Sequence, residues 1–566
     1  MMKVLQLDVK SIEYELIEPE LRVYEKSDDK DVKVEDAVVL LVSVEQGDTQ
    51  NVAKKAIDEA VAFAAKQKVP NLVLYPFAHL SEDLEAPQKA MELFAGMVKE
   101  AEKSGLKVVH APFGWNKAWH IMIKGHPLAE QSRKYSEGAD EKKRAKPVRR
   151  DVDLSIVKKS DWSGLPAADH RTIGEQNNLY SFQEVSPAMV YWHPNGWIVF
   201  KELVRFIREM EDRYEYEEIS TPAIANVALW HVSGHIDHYR DNMFSFESGS
   251  DTFGLKPMNC PSTMLIYKSR KWSYRELPFR TAIFDRLYRR EVSGALSGLF
   301  RVQEMTQDDG HIFVTENQLS DELASLMKFV KEAYDTFGLK FTAKLSTMPE
   351  DHMGDKALWD KATAALEDAL KANKIAYEVK EGEGAFYGPK IDYDVFDSAG
   401  RAWQCATIQL DYQLPVKFEL TYTGEDGKQY MPVVIHRAVL GTLERFTAVM
   451  TEHFQGKFPT WLAPSQARVL SISEQAADYA EKVYRELKKY GIRVKLDASD
   501  KTLDYKIRDA QMQRVPYILV VGKKEAENGT IAVRSRNGTQ KFGVKVDEFA
   551  ETLLKEIRER SLKLSY

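Results

Sequence analysis

Apolar runs alternate with helix-spaced apolar positions along the first part of the chain. Val38–Val44 is an almost continuous apolar run typical of a buried strand, and residues 51–67 place Ala, Ile, Val and Phe at helical spacing. A second apolar run at 71–77 precedes a long helical pattern that ends before Gly105. Since residues 106–110 are apolar again, the alternation predicts an α/β domain over residues 1–135.

The pattern changes in a large block, which we place at residues 170–462. It is rich in aromatic residues and turn signals, and it contains strand pairs such as Lys390–Phe396 with Ala402–Leu410. A mixed α and β domain is therefore predicted.

The last part of the chain, 463–566, returns to alternation. A helix with one apolar face is predicted to be capped by Ser473 and to end at Gly491. The elements predicted after it are a strand at 492–496, a helix at 503–513 and a strand at 515–521. This order predicts a small α/β module.

Polar and basic residues dominate the segment 136–169, which we interpret as a linker. Its charges could contact a polyanion, or the segment could be a solvated hinge without a partner, and the sequence favours neither. The basic residues are Lys142, Lys143, Arg144, Lys146, Arg149, Arg150, Lys158 and Lys159.

The composition is that of a globular protein with several domains. The 566 residues exceed what one core usually supports, and 44% are hydrophobic and 29% charged. Charges interrupt the apolar residues at the N-terminus and no run is long enough to cross a bilayer, so we expect a cytoplasmic protein without membrane association. Two cysteines provide no disulfide framework. A formal net charge of -7 excludes a uniformly basic nucleic-acid binder but permits local basic patches.

Three short segments far apart in the chain carry possible metal ligands. They are Cys260 within 257–261, His311 within 306–311 and His436 before the segment 441–445. A thiolate and two imidazoles suit Zn²⁺ with an open fourth position, which is how catalytic zinc is held. Scattered cysteines and histidines usually bind no metal, so the prediction depends on the residues around them.

Separated arginines in the same block are candidates for phosphate binding. Arg289, Arg301 and Arg445 each offer a planar fork for phosphate oxygens, although a single one of them would be interpreted as a surface residue. Arg289-Arg290-Glu291 and the segment 441–445 resemble the motifs of class II aminoacyl-tRNA synthetases, in which an Arg-x-Glu pair holds ATP and a later Glu-Arg helix supplies another arginine.

The resemblance narrows to the threonyl-tRNA synthetase family and covers roughly residues 170–566. It implies an antiparallel sheet with flanking helices, and a homodimer formed through 219–222. In that family the residues matched by Cys260, His311 and His436 bind zinc. The matching segments are Ser233–His235, Tyr239–Phe244, Pro257–Pro261, Gln307–Asp309, Gly384–Lys390, Trp403–Cys405 and Ile408–Asp411.

The resemblance also implies roles for individual residues. Arg289 would contact the α-phosphate of ATP, Arg301 and Arg445 the outer phosphates or adenine, and Glu291 the adenine, with Mg²⁺ bridging phosphates. The implied reaction joins threonine to tRNA(Thr) through threonyl-adenylate. The residues expected at the substrate are Gln307, Asp309, Tyr387, Lys390, Gln404, Gln409 and Thr442.

Selection of threonine is expected to be incomplete. A site built around a hydroxyl rejects valine by about 10⁴- to 10⁵-fold, whereas serine differs by one methyl group, which is worth only about 10- to 200-fold. We therefore expect a second, hydrolytic site.

The first domain contains candidates for that site. Residues 75–81, 111–117 and 124–130 place a histidine, a lysine and a glutamate in one α/β unit, although a turn residue and a surface charge are the simpler explanation of these residues alone. The segments resemble the archaeal editing domain of the family, which is related to D-aminoacyl-tRNA deacylases and would hydrolyse seryl-tRNA(Thr). Asn116 stands where that domain often has tyrosine. The implied functional positions are His79, Lys117 and Glu130.

The last module combines basic residues with tyrosines, as proteins that read single-stranded RNA loops do, although a generic charged surface would explain these residues equally well. It resembles the anticodon-binding domain of class IIa synthetases. The positions that match anticodon contacts are Arg514, Glu525 and Arg534.

Two features depart from the expected pattern. His231 and His235 have a spacing that could hold zinc on a helix, but Gly234 disfavours a rigid helix, so we predict a structural role. Gln303-Glu304-Met305 stands where the family usually has Arg-Gly-Phe, and Met305 replaces the phenylalanine that stacks on adenine. This substitution leaves two alternatives to the ligase, namely a non-catalytic tRNA-binding or regulatory paralogue and a deacylase with a degenerate synthetase core.

Overall fold

The computed structural model describes residues 2–81, 83–126, 128–135, 159–397 and 400–566. The chain divides into two compact units, Met1–Val152 and Asp153–Tyr566. Most of the predicted basic linker, 136–158, lies outside the described residues.

The first unit is a mixed sheet with helices on one face. The strand order is β4-β3-β2-β1-β5, with β6 paired to the first part of β1; β2, β3 and β4 run parallel, and the other pairs are antiparallel. Its elements are β1 Met2–Pro19, β2 Asp31–Ser43, α1 Gln50–Gln67, β3 Asn71–Pro76, α2 Pro87–Glu102, β4 Lys107–His110, β5 Trp115–Ile123 and β6 Glu130–Tyr135.

Two cores lie on opposite faces of this sheet. One is formed by the apolar faces of α1 and α2, including Phe63 and Phe94. The other contains Tyr14 and Tyr75, and β1 contributes to it on both sides of a register shift between Val9 and Ser11. The aromatic face therefore becomes a candidate binding surface.

The central block is built on a nine-stranded sheet in the order β17-β16-β18-β19-β22-β15-β13-β9 with β14 beside β15. Its elements are α3 His170–Gln176, β7 Tyr180–Gln183, β8 Ser186–Trp192, α4 Pro194–Arg213, β9 Glu217–Ile219, β10 Ile224–Asn226, α5 Ala228–Val232, α6 His235–Tyr239, β11 Ser245–Ser248, β12 Asp251–Leu255, α7 Cys260–Lys268, β13 Phe279–Ile283, β14 Arg286–Tyr288, β15 Glu304–Val314, α8 Leu319–Phe337, β16 Lys340–Ser346, α9 Lys356–Ala372, β17 Tyr377–Lys380, β18 Lys390–Phe396, β19 Ala402–Asp411, α10 Gln413–Lys417, β20 Tyr422–Thr423, β21 Gln429–Tyr430, β22 Val433–Thr442 and α11 Leu443–His453.

The sheet is antiparallel except for the pairs β13–β9 and β16–β17. Helices α4, α8, α9 and α11 bury their apolar residues on one face of it. Tyr334 of α8 ties helix to sheet, because its hydroxyl donates to the Val439 carbonyl at 2.9 Å and accepts from the Ala406 amide at 2.8 Å. The central strands are thereby fixed from behind, and the opposite face is left for a site.

The C-terminal module is a five-stranded sheet in the order β24-β23-β25-β26-β27. Ser473 precedes a 3₁₀ turn and its side chain makes no cap hydrogen bond, so the predicted cap is wrong. The elements are β23 Ala467–Ser471, α12 Ala477–Lys489, β24 Val494–Asp497, α13 Leu503–Met512, β25 Tyr517–Val521, α14 Lys523–Asn528, β26 Thr530–Ser535, β27 Gln540–Lys545 and α15 Val546–Arg558.

These three regions confirm the predicted α+β multidomain fold with an antiparallel sheet core. Within the described ranges, no helix combines the length and apolar character needed to span a membrane.

Candidate active site

The possible metal ligands converge where three strands meet the start of a helix. His311 of β15 lies directly opposite His436 of β22, and Gln409 of β19 faces His436 from the other side. Cys260 is the first residue of α7. Ligand atoms of Cys260, His311 and His436 lie within 4.8 Å of one another, and all three residues are buried.

The chemistry of these side chains fits a bound cation. His436 Nε2 lies 2.9 Å from Asp411 Oδ2, an outer carboxylate of the kind that orients a ligating imidazole. The Nδ1 of His311 is buried and has no hydrogen-bond partner among the described residues. Burial lowers the pKa of His311, which keeps its imidazole neutral as a metal ligand must be, and raises the pKa of the Cys260 thiol, so a nearby positive ion would be needed to favour the thiolate.

The three residues line one side of a cavity of about 540 Å³. Most of the side chains predicted for ATP and threonine line the same cavity, and Lys390 is the exception, because its ammonium pairs with Asp392 beside it. The predicted residues in the lining are Arg289, Glu291, Arg301, Arg445, Gln307, Asp309, Tyr387, Gln404, Gln409 and Thr442.

Polar groups next to the ligands form the amino-acid side of the cavity. Asn259 Nδ2 donates to Asp309 Oδ2 at 3.1 Å, and the Tyr387 hydroxyl donates to Gln409 Oε1. Burial raises the pKa of Asp309, while the hydrogen bond from Asn259 favours its ionised form. One oxygen of the Asp309 carboxylate is thus engaged and the other remains for a ligand.

The three arginines of the lining define the arginine side of the cavity. Arg289 Nε donates to the Pro257 carbonyl at 3.0 Å, and Arg445 donates to the carbonyls of Phe300 and Gln404 at 3.0 Å each. Arg301 pairs with Glu291, with Nη2 and Oε2 2.8 Å apart. Arg289 and Arg445 thus keep N–H groups for an anion, whereas the fork of Arg301, Nε and Nη2, is taken up by Glu291.

Met305 lies in this half of the cavity and is 5% exposed. It takes part in the core beneath the arginines. The position expected for a stacking ring is therefore filled by a flexible thioether side chain.

The two histidines of the 231–235 segment do not form a helical metal pair. Gly234 has φ +77°, so α5 ends before it and α6 begins with His235. His235 is buried, with Nε2 3.5 Å from Cys260 Sγ. Its predicted structural role agrees with these contacts.

Sequence reasoning assigned no role to Asn259, Asp411 or Asp308. Asn259 and Asp411 lie within the segments that carried the resemblance. The available signal was the position of Asn259 next to Cys260 and of Asp411 at the end of the Ile408–Asp411 segment. Asp308 faces away from the cavity, and only the pairing of β15 with β22 reveals its contacts.

The first unit brings two of its three predicted residues to one aromatic cluster formed by Tyr75, Phe77 and Trp119. Lys117 Nζ lies 5.1 Å from the centre of the Tyr75 ring, and the ring of His79 lies 5.2 Å from that of Phe77. Burial lowers the pKa of Lys117 to about 8.

Glu130 stands apart from this cluster in its contacts. It is exposed at the start of β6, opposite Leu7 of β1. Within the described part of the first unit, it forms no hydrogen bond or ion pair with Lys117 or His79. The structure thus gives Glu130 no contact that supports its predicted role.

The three residues predicted to contact an anticodon border strand β25. Arg514 precedes it in a left-handed conformation, and its carbonyl accepts from Arg536 Nη1 at 2.9 Å. Glu525 in α14 accepts from the Gly522 amide at 2.9 Å, and Arg534 of β26 lies opposite Ile518. No direct contact joins the three side chains in this described module.

Known protein families match each of these regions. Residues 2–135 match the archaea-specific editing domain of threonyl-tRNA synthetase. Residues 244–454 match the class II core domain of tRNA synthetases for G, H, P, S and T, and residues 466–556 match an anticodon-binding domain.

Individual relatives agree with the family models. The threonine–tRNA ligase of Thermotoga maritima is 50% identical over 398 residues, which are 70% of this chain and 62% of the relative. The ligase of Caldanaerobacter subterraneus is 45% identical over 448 residues, which are 78% of this chain and 69% of the relative. The chain thus spans 62% of the length of the Thermotoga relative.

A solved structure supports the same conclusion. The RNA binding domain of threonyl-tRNA synthetase from Cryptosporidium parvum has a TM-score of 0.67 and 41% identity, and the match covers 70% of this chain and 99% of that chain. The chain therefore belongs to the threonyl-tRNA synthetase family of class II aminoacyl-tRNA synthetases and carries an archaeal-type editing domain.

Proposed function

We propose that this chain is a threonine–tRNA ligase, in which the threonine carboxylate attacks the α-phosphate of ATP to give threonyl-adenylate and pyrophosphate, and the threonyl group then passes to a terminal hydroxyl of tRNA(Thr) with release of AMP. The observation that carries the proposal is the shared cavity. The possible metal ligands, Asp309 and the arginines Arg289, Arg301 and Arg445 all line it. A threonine carboxylate and an α-phosphate bound in this one cavity can be brought together, as adenylate formation requires.

Threonine recognition is assigned to the side with Cys260, His311 and His436. These three residues would hold Zn²⁺, whose free position supplies a Lewis acid for the amino and hydroxyl groups of threonine. Asp309 has one oxygen free of Asn259 and can accept from the hydroxyl. Valine brings no hydroxyl, so these groups would be left unpaired and valine is excluded.

ATP is assigned to the arginine side, where Mg²⁺ is expected to bridge its phosphates. Binding requires the Arg301 fork to turn from Glu291 toward phosphate. The Arg301 side chain is 50% exposed and Glu291 only 7%, so Arg301 is the partner free to move. Glu291 is then released to accept from the adenine amino group.

The first unit is assigned hydrolysis of seryl-tRNA(Thr), which the zinc side cannot exclude because serine keeps the hydroxyl. Its aromatic cluster offers apolar surface for a terminal base, and Lys117 offers a donor for the oxyanion that develops during ester hydrolysis. The module around β25 is assigned to the anticodon loop. A homodimer formed through 219–222 and a cytoplasmic location stay predictions.

Pyrophosphate exchange tests the ligase directly. The folded, zinc-loaded chain is expected to exchange labelled pyrophosphate into ATP with threonine, and weakly with serine. Valine is the matched control, since it has the shape of threonine without the hydroxyl, and it should give less than a thousandth of the threonine rate at equal concentration, as expected for about 10⁴-fold discrimination. Absence of threonine-dependent exchange would refute the ligase.

A further inference from the structure

The pairing of β15 with β22, two strands that carry residues of the cavity, contains an irregularity. Gln307 of β15 pairs with Thr442 of β22, and Asp309 pairs with Ala438. One residue of β15, Asp308, therefore faces three residues of β22. Three successive backbone amides of β22 have no strand carbonyl opposite them.

The carboxylate of Asp308 supplies acceptors for these three amides. Its Oδ2 accepts from the amides of Val439 and Leu440 at 2.9 and 3.0 Å, and its Oδ1 accepts from the amide of Gly441 at 2.7 Å. Asp308 is fully buried. Loss of one of these acceptors would leave a buried N–H group unpaired, which favours a different path for 439–441.

This path of the chain requires a glycine at position 441. Its φ is +77°, and a Cβ there would lie 2.6 Å from the Cys405 carbonyl oxygen. The turn at Gly441 directs the next residues into α11, where the Thr442 hydroxyl accepts from the Arg445 amide at 3.3 Å. The position of Arg445 in the cavity thus depends on the irregularity.

A buried arginine holds Asp308 from the other side. Arg437 Nη1 donates to the Asp308 carbonyl at 2.8 Å, and Nη2 pairs with Glu211 of α4. The guanidinium lies 4.5 Å from the centre of the Tyr216 ring and crosses below Gly310, where a Cβ would be 2.4 Å from its Nε. Gly310 directly precedes His311, and Arg437 directly follows His436. The same contact therefore fixes the strands that present both possible ligands.

We propose that Asp308 is a positioning residue for the activation reaction, and that it sets the register between the threonine side of the cavity and its nucleotide side. Gln307 and Asp309 lie on either side of it, while Thr442 and Arg445 follow the segment that it holds. Arg437 and Glu211 support it by fixing its backbone. The inference rests on the proposed ligase.

The consequence differs from that of losing a binding residue. Asp308 touches neither substrate, so each substrate keeps its own contacts when Asp308 changes. What changes is the alignment of the threonine carboxylate with the α-phosphate, and a misplacement of about 1 Å costs on the order of 100-fold in rate. The effect is expected in kcat, with little change in KM.

The test compares Asp308→Asn with Glu322→Gln in the full chain by threonine-dependent pyrophosphate exchange. Asparagine keeps the shape and removes one acceptor. Glu322 is a matched control, because it is 6% exposed and pairs with Arg280 of the same sheet at 2.9 Å without lining the cavity. We expect Asp308→Asn to lower kcat about 100-fold with each KM within about threefold, and Glu322→Gln to leave kcat within about threefold.

Metal content and thermal unfolding are measured on the same samples. Zinc stoichiometry equal to that of the unchanged chain, with the lowered kcat, supports positioning. Equal kcat in the two variants, a kcat loss in proportion to the unfolded fraction, or a rise in KM for threonine alone would each overturn it. Failure of the unchanged chain to exchange pyrophosphate would instead refute the ligase itself.

Glu211→Gln is the second variant if Asp308→Asn does not fold. It leaves Asp308 intact and removes the charge that pairs with Arg437, so the support of the Asp308 backbone is weakened. The same signature is expected at smaller size, about tenfold in kcat with unchanged KM. A kcat within about twofold of the unchanged chain would overturn the inference.

Discussion

The role proposed for Lys117 predicts that the pH dependence of seryl-tRNA hydrolysis follows one proton of its ammonium group. Its ammonium donates to the Trp115 carbonyl at 3.0 Å and lies above the Tyr75 ring. Burial lowers the pKa to about 8 from the ordinary value of 10.5, and Glu20 and Glu25 oppose this shift. The group therefore loses its charge within the working range of the assay.

The sign follows from the role of the proton. If the ammonium stabilises the developing oxyanion, the protonated form is active and hydrolysis falls as pH rises. With a pKa of about 8, about nine tenths of Lys117 is protonated at pH 7 and about one tenth at pH 9. The enzymatic rate constant should thus fall about tenfold between these values, whereas uncatalysed ester hydrolysis rises with pH.

Single-turnover hydrolysis of seryl-tRNA(Thr) measures this profile after subtraction of the reaction without protein. Lys117→Arg keeps the charge at every pH of the assay, so its profile should be flat above pH 7 even where its rate is lower. Lys107→Arg is the control, because Lys107 is exposed at the start of β4. A wild-type rate that keeps rising to pH 9, or a fall that persists in Lys117→Arg, would refute the role of Lys117.

Three further predictions concern the cavity. Cys260→Ser should reduce bound zinc below one ion per chain, measured by mass spectrometry of the metal, and lower threonine-dependent exchange at least 100-fold, since a hydroxyl is a poorer zinc ligand than a thiolate; retention of both would contradict the metal assignment. Asp309→Asn should lower kcat/KM for threonine about 100-fold and leave the KM for ATP unchanged, so an equal change for both substrates would place Asp309 elsewhere. Met305→Phe should lower the KM for ATP about fivefold, because a ring stacks on adenine with about 1 kcal/mol more than a thioether, and a raised KM would show that the buried position has no room for it.

The sequence was sufficient for the elements whose pattern is strong. Helix α1 begins and ends close to its predicted bounds and α2 ends close to its own, because their apolar positions repeat at helical spacing over four or more turns. Strand β1 was not predicted, since Asp8, Glu13 and Glu15 interrupt its apolar residues. Those charges fit an antiparallel strand, but the register shift near Ser11 arises in the pairing with β5.

The candidate site likewise has residues that the sequence indicated and contacts that it did not. The lining residues were found because they lie in short segments that resemble a known family. The contacts of Asp308 and Arg437 join residues 129 positions apart, and nothing in the local sequence of either strand indicates them. The role of Lys390 stays a prediction, because its segment matched the family while its side chain pairs with Asp392 and does not line the cavity.

The two sides of the cavity differ in how firmly they are held, and this difference bears on selectivity. The threonine side stands on the inner strands β15, β19 and β22, which Tyr334 and Asp308 fix from behind, so its acceptors are set before threonine arrives. The nucleotide side includes Arg301, which must leave Glu291 to bind phosphate. A rigid threonine side rejects an amino acid that leaves the polar groups of the protein unpaired. It therefore excludes valine effectively but discriminates only weakly against an amino acid that is merely smaller than threonine. Since serine pairs with every group that threonine does, further tightening of this side would gain little against serine. A separate hydrolytic unit is then the physical alternative, which accounts for the presence of the aromatic cluster and Lys117 in the same chain.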